Sequence, residues 1–221
     1  MARVTEIRTP FQPNKSEPLV YIVDDEPAVR DAISMLLETE GLKTRCFQTA
    51  GEFLEVSAPT MQGCVLLDVC MPDHSGLEIQ KILVERDVHI PIIFLTGHGT
   101  VPASSEAFRT GAFDFLEKPF DNEVLLQRVA EAFDVDAKRH AKDMQSLAIT
   151  ERYARLSERE RQVLRFVVNG YSSKQMAKEL GISHRTVEIY RAHIMQKMST
   201  ETLIELVRVV APLFDENGLV R

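Results

Sequence analysis

The sequence predicts an α/β fold, a doubly wound five-stranded parallel sheet over residues 18–134, followed by a small all-helical domain over residues 154–221. Three observations carry that reading. Short β-branched apolar runs alternate with helical patterns of 8 to 14 residues through the first part, the signature of βαβ units. Acids, a threonine and a lysine recur just past the carboxyl ends of those runs. The charge also changes sign along the chain: residues 1–151 hold 14 Lys+Arg against 25 Asp+Glu, net −11, whereas residues 152–221 hold 12 against 8, net +4. An acidic body with a basic tail points to two different partners, the second of them nucleic acid.

The elements follow in order. Residues 1–17 are Pro-rich at their end and read as a disordered tail. "LVYIV" (19–23) is a buried strand ending at "DDEP". Pro27 suits the first turn of a helix whose Val29, Ile33, Leu36 and Leu37 recur at helical spacing, and Gly41 is its stop. Then come strand "KTRCF", helix "TAGEFLEV", strand "CVLLD", a helix from Gly76 to about Glu85, strand "PIIFLT", a helix over 101–110, strand "FDFLE" and helix "NEVLLQRVAEAF". Five such units fit the shorter doubly wound order, which places a functional cleft beyond the carboxyl ends of the strands.

Residues 135–153 are charged and free of Pro and Gly, so a helical linker is expected there. Beyond it, Ser157 with Glu160 and Ser172 with Gln175 form two capping boxes, each opening an apolar stripe that a glycine stops, Gly170 and Gly181. "GIS" makes a three-residue turn and Ser183 caps the next helix. Two helices joined by so short a Gly-containing turn are a helix-turn-helix. A last helical pattern runs through "TLIELVRVVAPLF".

With 221 residues and 44% of them hydrophobic, the chain can bury two ordinary cores. Its longest apolar runs are strand-sized, far short of the roughly 20 residues of a membrane span, and its start lacks a hydrophobic targeting core, so a cytoplasmic location is expected. The three cysteines, Cys46, Cys64 and Cys70, lack metal-ligand spacing and fit a reducing compartment. Cys46 and Cys64 are expected as buried small side chains.

Asp24, Asp25, Asp68, Thr96 and Lys118 all follow strands, so the topology draws them to one cleft. Carboxylates gathered there repel one another unless a cation joins them. Mg²⁺ suits, because it takes octahedral oxygen ligands and is commonly held by one or two carboxylates with waters and a phosphate. A carboxylate is also a competent nucleophile towards phosphorus, giving an acyl phosphate. Lys118 can pair with the transferred group, and the Thr96 hydroxyl can donate to one of its oxygens.

"VDDEP", "LLDVCMPDHSG", "LTGHG" and "FDFLEKPF" resemble the CheY-like receiver domain of two-component response regulators. "LSERERQVL" and "RTVEIYRAHIMQKM" resemble the NarL/LuxR helix-turn-helix, and the two together resemble the FixJ branch, over about residues 18–212. The resemblance implies residues 18–134 as the phosphoacceptor receiver and a transcriptional regulator, not an enzyme. It also implies that a sensor histidine kinase phosphorylates the chain and that phosphorylation promotes homodimerisation and binding to promoter DNA. It implies Asp68 as phosphoacceptor, Asp25 chiefly and Asp24 in support as holders of Mg²⁺, and the main-chain carbonyl of Cys70 as a further ligand. Thr96 and Lys118 would touch the phosphoryl group. Phe115 would be the aromatic switch, at a position where the family often has tyrosine. The stretch from about 101 to 117 would be the surface remodelled for dimerisation. The branch more often carries arginine where this chain has Cys70, and the smaller side chain opens the phosphoryl group to water.

In the helix-turn-helix, a turn of 100° per residue puts Val187, Tyr190, Ile194 and Met198 towards the core and Arg185, Glu188, Ile189, Ala192 and Gln196 outward. Glu188 can accept from a cytosine amino group, Ile189 and Ala192 can meet thymine methyls, and Arg185 a guanine or a phosphate. Thr186 belongs to the same DNA-facing start of the helix. Ser172, Ser173, Lys174 and Lys197 are candidates for phosphate contacts. Arg191 lies between the two faces and suits either an intradomain partner or DNA.

Two other functions compete. A Mg²⁺-dependent phosphohydrolase also uses a strand-tip aspartate but carries a second acid two positions later, where this chain has Cys70. A redox-responsive regulator would act through Cys70 itself, whose neighbours Lys118 and the carboxylates pull its acidity in opposite directions.

Overall fold

A computed structural model describes residues 18–97 and 111–214. The expected disordered tail and the helix over 101–110 lie outside the described residues. Two compact units divide at 140/141.

The first unit is a parallel five-stranded sheet in the order β2-β1-β3-β4-β5. Its strands are β1 (Leu19–Val23), β2 (Lys43–Phe47), β3 (Gly63–Asp68), β4 (Ile92–Thr96) and β5 (Asp114–Glu117), with helices α1 (Pro27–Thr39), α2 (Ala50–Val56), α3 (Gly76–Glu85) and the start of α4 (Asn122–Ala154). The order reverses at β1 and β3, so the cleft opens between their carboxyl ends. Every residue of β3 and of β4 is buried, which is why both read as unbroken apolar runs instead of alternating ones. On one face Val65 and Leu67 pack with Phe53, Ile79, Leu83 and Phe94. On the other, Cys64 and Leu66 meet Ile33 and Leu37 of α1 and Leu125 and Val129 of α4.

Two glycines fix the ends of the segment containing β3. A Cβ on Gly63, whose φ is +118°, would lie 1.9 Å from the carbonyl oxygen of Leu19, so only glycine lets β1 and β3 start side by side. A Cβ on Gly76 would lie 2.6 Å from the carbonyl oxygen of Asp68, so glycine also lets the loop after β3 fold back under its own strand tip.

Cys64 is buried as expected and Cys46 is exposed. Cys46 belongs to β2, an edge strand paired only with β1, and the helices cover it incompletely.

The last receiver helix and the expected helical linker form one helix, α4, of 33 residues. With no Pro, Gly or cap inside it, nothing in the local sequence ends it. Its side chains also stay tied to the sheet beyond residue 134. Asp136 is buried, and its Oδ2 accepts the Gly63 N–H at 2.7 Å while its Oδ1 pairs with Arg139 at 2.7 Å. His140 Nε2 lies 2.9 Å from the Met61 carbonyl oxygen. Burial raises the Asp136 carboxyl above its ordinary range, against the lowering effect of Gly63, Arg139 and His140.

The second unit holds the rest of α4 and α5 (Glu158–Val168), α6 (Ser173–Leu180), α7 (His184–Met198) and α8 (Leu203–Val210), closed by a 3₁₀ turn (Ala211–Leu213). Pro212 sits in that turn, so the last helix is shorter than its apolar pattern. Both capping boxes form, at Ser157/Glu160 and Ser172/Gln175, and Ser183 caps α7. Gly181 takes the left-handed conformation, φ +65°, that ends α6 and starts the turn. Leu164, Met176, Val187, Ile194, Met198 and Leu206 fill the core.

Candidate functional site

The cleft is assembled from strand tips. Just past β1, Asp24 is fully buried; its Oδ1 accepts the Glu26 N–H at 2.9 Å and its main-chain carbonyl accepts from the Arg30 guanidinium at 2.6 Å. β3 ends on Asp68, 5% exposed, whose Oδ2 accepts the Cys70 N–H at 2.7 Å. β4 ends on Thr96, buried, whose carbonyl accepts the Lys118 N–H at 2.6 Å. That bond brings the lysine from the end of β5 back over the cleft, just before a cis Lys118–Pro119 peptide. The Lys118 ammonium donates to Asp24 Oδ2 at 2.6 Å and to Asp68 Oδ1 at 2.8 Å.

Burial raises the Asp68 carboxyl above the usual carboxylate range, an effect that Lys118 opposes and Asp24 reinforces. For Lys118 burial works to lower the ammonium, but the two carboxylates prevail and hold it above its ordinary value. Two buried carboxylates share one ammonium, so the site keeps an excess negative charge, and Asp25 at its rim adds to it. Among the described residues no three acidic, histidine or cysteine side chains converge as a metal cage. A cation there would take two carboxylates with main-chain oxygen, solvent and a phosphate, the oxygen-rich and partly hydrated set that fits Mg²⁺.

The resemblance makes Asp25 the chief metal holder. In the structure the acid joined to Asp68 through Lys118 is Asp24, and Asp25 is half-buried outside that pair. Cys70 is exposed, and its main chain turns towards Asp68. Phe115 is half-buried against the core, its ring 6.2 Å from that of Phe94. Sequence reasoning missed Arg30, one turn into α1, and the need for Gly76. The first has no sequence signal beyond its place on the helix; the second shows only once the loop path is known.

On the helix-turn-helix, Val187, Ile194 and Met198 are buried and Tyr190 packs beside them, while Arg185, Glu188, Ile189, Ala192 and Gln196 are exposed on the other side of α7. Ser172 and Lys174 are exposed too. Three candidates for DNA contact also make bonds within the domain. Ser173 is buried and its hydroxyl accepts from Arg191. Lys197 pairs at 2.7 Å with Glu160, whose carboxylate also accepts the Ser157 N–H of the capping box. Burial alone would raise Glu160, but Lys197 and Ser157 hold it below its ordinary value. Thr186 is half-buried with its hydroxyl 2.8 Å from that of Ser183. The reason is common to all three: a polar side chain beside a helix start or a buried acid satisfies that neighbour first.

The family model for the response regulator receiver domain matches residues 20–130, and that for bacterial regulatory proteins of the luxR family matches residues 154–210. The chain is 44% identical to the transcriptional regulatory protein FixJ of Azorhizobium caulinodans, over 89% of this chain and 95% of that protein. It is 42% identical to the response regulator protein TodT of Pseudomonas putida, over 89% and 87%. Among solved structures it is similar to the response regulator StyR, with TM-score 0.81, 36% identity, and coverage of 89% and 100%. A receiver domain and a luxR-type domain thus follow one another along this chain, and the chain belongs to the two-component transcriptional response regulators of the FixJ branch.

Proposed function

We propose that Asp68 accepts a phosphoryl group from a sensor histidine kinase and that the resulting acyl phosphate promotes homodimerisation and promoter binding. The observation that carries this is the single ammonium of Lys118 bonded to both Asp24 and Asp68 at the open end of the sheet. A carboxylate oxygen of Asp68 attacks phosphorus, the P–N bond of the donor phosphohistidine breaks, and the imidazole leaves with the bonding pair and takes up a proton. Asp24, Asp68, the Cys70 carbonyl and Asp25 would hold Mg²⁺, which supplies neutralising charge for the transfer. Lys118 then exchanges its bond to Asp68 for one to a phosphoryl oxygen, and Thr96 donates to another. Phosphorylation adds about −1.5 to −2 charge at one point. Shifting a two-state population from 1:99 to 99:1 takes about 5.5 kcal/mol. Two charge-assisted bonds of about 1.5–3 kcal/mol each reach that scale only together, so Thr96 and Phe115 are the switch that links Asp68 to the dimer surface.

The outward residues of α7 with Ser172 and Lys174 read the duplex, a reading supported by the names of two relatives as transcriptional regulatory proteins. No helix among the described residues is long and apolar enough to cross a membrane, and a cytoplasmic regulator of this kind fits that. The chain turns over no substrate: the position of a second acid is taken by Cys70.

Incubation with acetyl phosphate and Mg²⁺, read by mass, tests the centre of the proposal. One phosphoryl group is expected on the wild type and none on Asp68→Asn; a phosphorylated Asp68→Asn chain would overturn it. Thr96→Ala is expected to take up phosphate yet stay monomeric by light scattering, and wild-type dimerisation of that variant would remove Thr96 from the switch.

A further inference from the structure

The geometry points to Glu188 as a base-reading residue held in place by Arg191, with Ser173 holding Arg191 in turn, so that a chain of three side chains runs from the domain interior to the DNA-facing side of α7. This rests on the reading of α7 as the recognition helix. Ser173, the first residue of α6, is 8% exposed and accepts from Arg191 Nη1. The same Nη1 donates to Glu188 Oε1 at 2.9 Å. Exposure rises along the chain: the Arg191 side chain is 22% exposed and that of Glu188 48%. Arg191 Nε is buried with no hydrogen-bond partner among the described residues, so the inner edge of this guanidinium lies inside the domain.

The chemistry explains why such a support is needed. A carboxylate on a DNA-facing surface is repelled by every phosphate, and the one base-edge group in the major groove that rewards it is the cytosine amino donor. A mobile glutamate would lose side-chain freedom on making that bond, whereas one already oriented does not. Arg191 supplies both orientation and a positive charge close behind the acid. Ser173 and Arg191 together hold the Glu188 carboxyl below its ordinary value, so it is purely an acceptor. His184, 4.0 Å from the same oxygen, is the other ionisable neighbour. Arg191 is therefore a positioning residue for specificity.

The test is selection by the full-length chain, activated with acetyl phosphate, from duplexes carrying about 20 randomised base pairs, enough for two half-sites. The wild type should enrich a site in which one position per half-site demands C·G. Glu188→Ala should erase the preference at that position alone, about a ten-fold loss of discrimination. Arg191→Met should relax the same position, leave the others, and add nothing when combined with Glu188→Ala. Ser173→Ala, which removes only one hydroxyl, should give a smaller loss there and keeps the inference testable if Arg191→Met melts early. Uniform weakening of all sequences by Arg191→Met, with a salt dependence shallower by about one contact, would make Arg191 a phosphate ligand and overturn the inference. So would an unchanged site with Glu188→Ala. A wild-type chain that enriches no duplex would overturn the DNA-binding reading itself and this inference with it.

Discussion

Two buried acids of this chain, Asp68 and Glu160, differ in sign. Asp68 is raised by burial, so its ionised form costs folding free energy above its folded pKa and the group favours folding only where it is protonated. Asp68→Asn is expected to raise the melting temperature at neutral pH in a thermal scan, and an unchanged or lower melting temperature would show that the bond to Lys118 outweighs the burial. Glu160 is lowered, so its contribution is present above its unfolded pKa of about 4.3 and is lost as pH falls through the lower folded value. Lys197→Met leaves that carboxylate buried without its cation and should cost about 1–3 kcal/mol at neutral pH. The gap between its melting temperature and that of the wild type should close below about pH 4, and a gap that stays constant with pH would show that Lys197 acts through packing. At this scale the sequence was legible by topology and illegible by pairing. Lys118 could be placed at the cleft because a strand ends there, but nothing in "LEKPF" says that it bonds Asp24 and Asp68 together. Lys197 and Ser173 read as phosphate contacts because their partners, Glu160 and Arg191, lie 37 and 18 residues away in the chain.

Elements were the most legible level, since period-2 and period-3.6 patterns are local. Strands β1 to β5, both capping boxes and the turn at Gly181 follow directly from residue order. The helical character of residues 135–153 does too, since no Pro or Gly stops a helix there, but no local pattern says that this stretch and the last receiver helix are one continuous α4. Nothing in the charged run singles out Asp136; its buried bond is to Gly63, 73 residues earlier. Asp136→Ala should strand the Gly63 N–H in the interior and cost about 1–3 kcal/mol. Asp136→Asn keeps a carbonyl acceptor there and should lose less. Thermal unfolding of the two variants, with amide exchange at Gly63, checks this; equal losses would assign the effect to Arg139 and His140 instead.

For the whole molecule the charge asymmetry sets the expectation. A net charge of +4 over residues 152–221 allows few phosphate contacts per chain, and residues 1–151 at net −11 oppose approach to DNA. Tethering two such modules raises affinity without new base contacts. Full-length chain treated with acetyl phosphate should therefore bind an enriched duplex more tightly than untreated chain. Its plot of log affinity against log salt should also be about twice as steep, as two modules release twice the counterions. Fluorescence anisotropy at several salt concentrations measures both. Equal affinity and slope in the two states would mean that phosphorylation does not act through DNA binding.

The two glycines that bracket the segment from 63 to 76 have a consequence for how this protein can change. Any side chain at Gly63 or Gly76 meets main-chain oxygen, so neither position tolerates substitution and the path of the intervening chain is fixed from both ends. Exposed Cys70, between them, carries no such restriction. A mutational scan should show two intolerant positions with a permissive one inside. With Asp68 as the proposed phosphoacceptor, variation there would alter how long the phosphorylated state persists without altering the scaffold, so that the timing of the response would be free to evolve while its architecture is not.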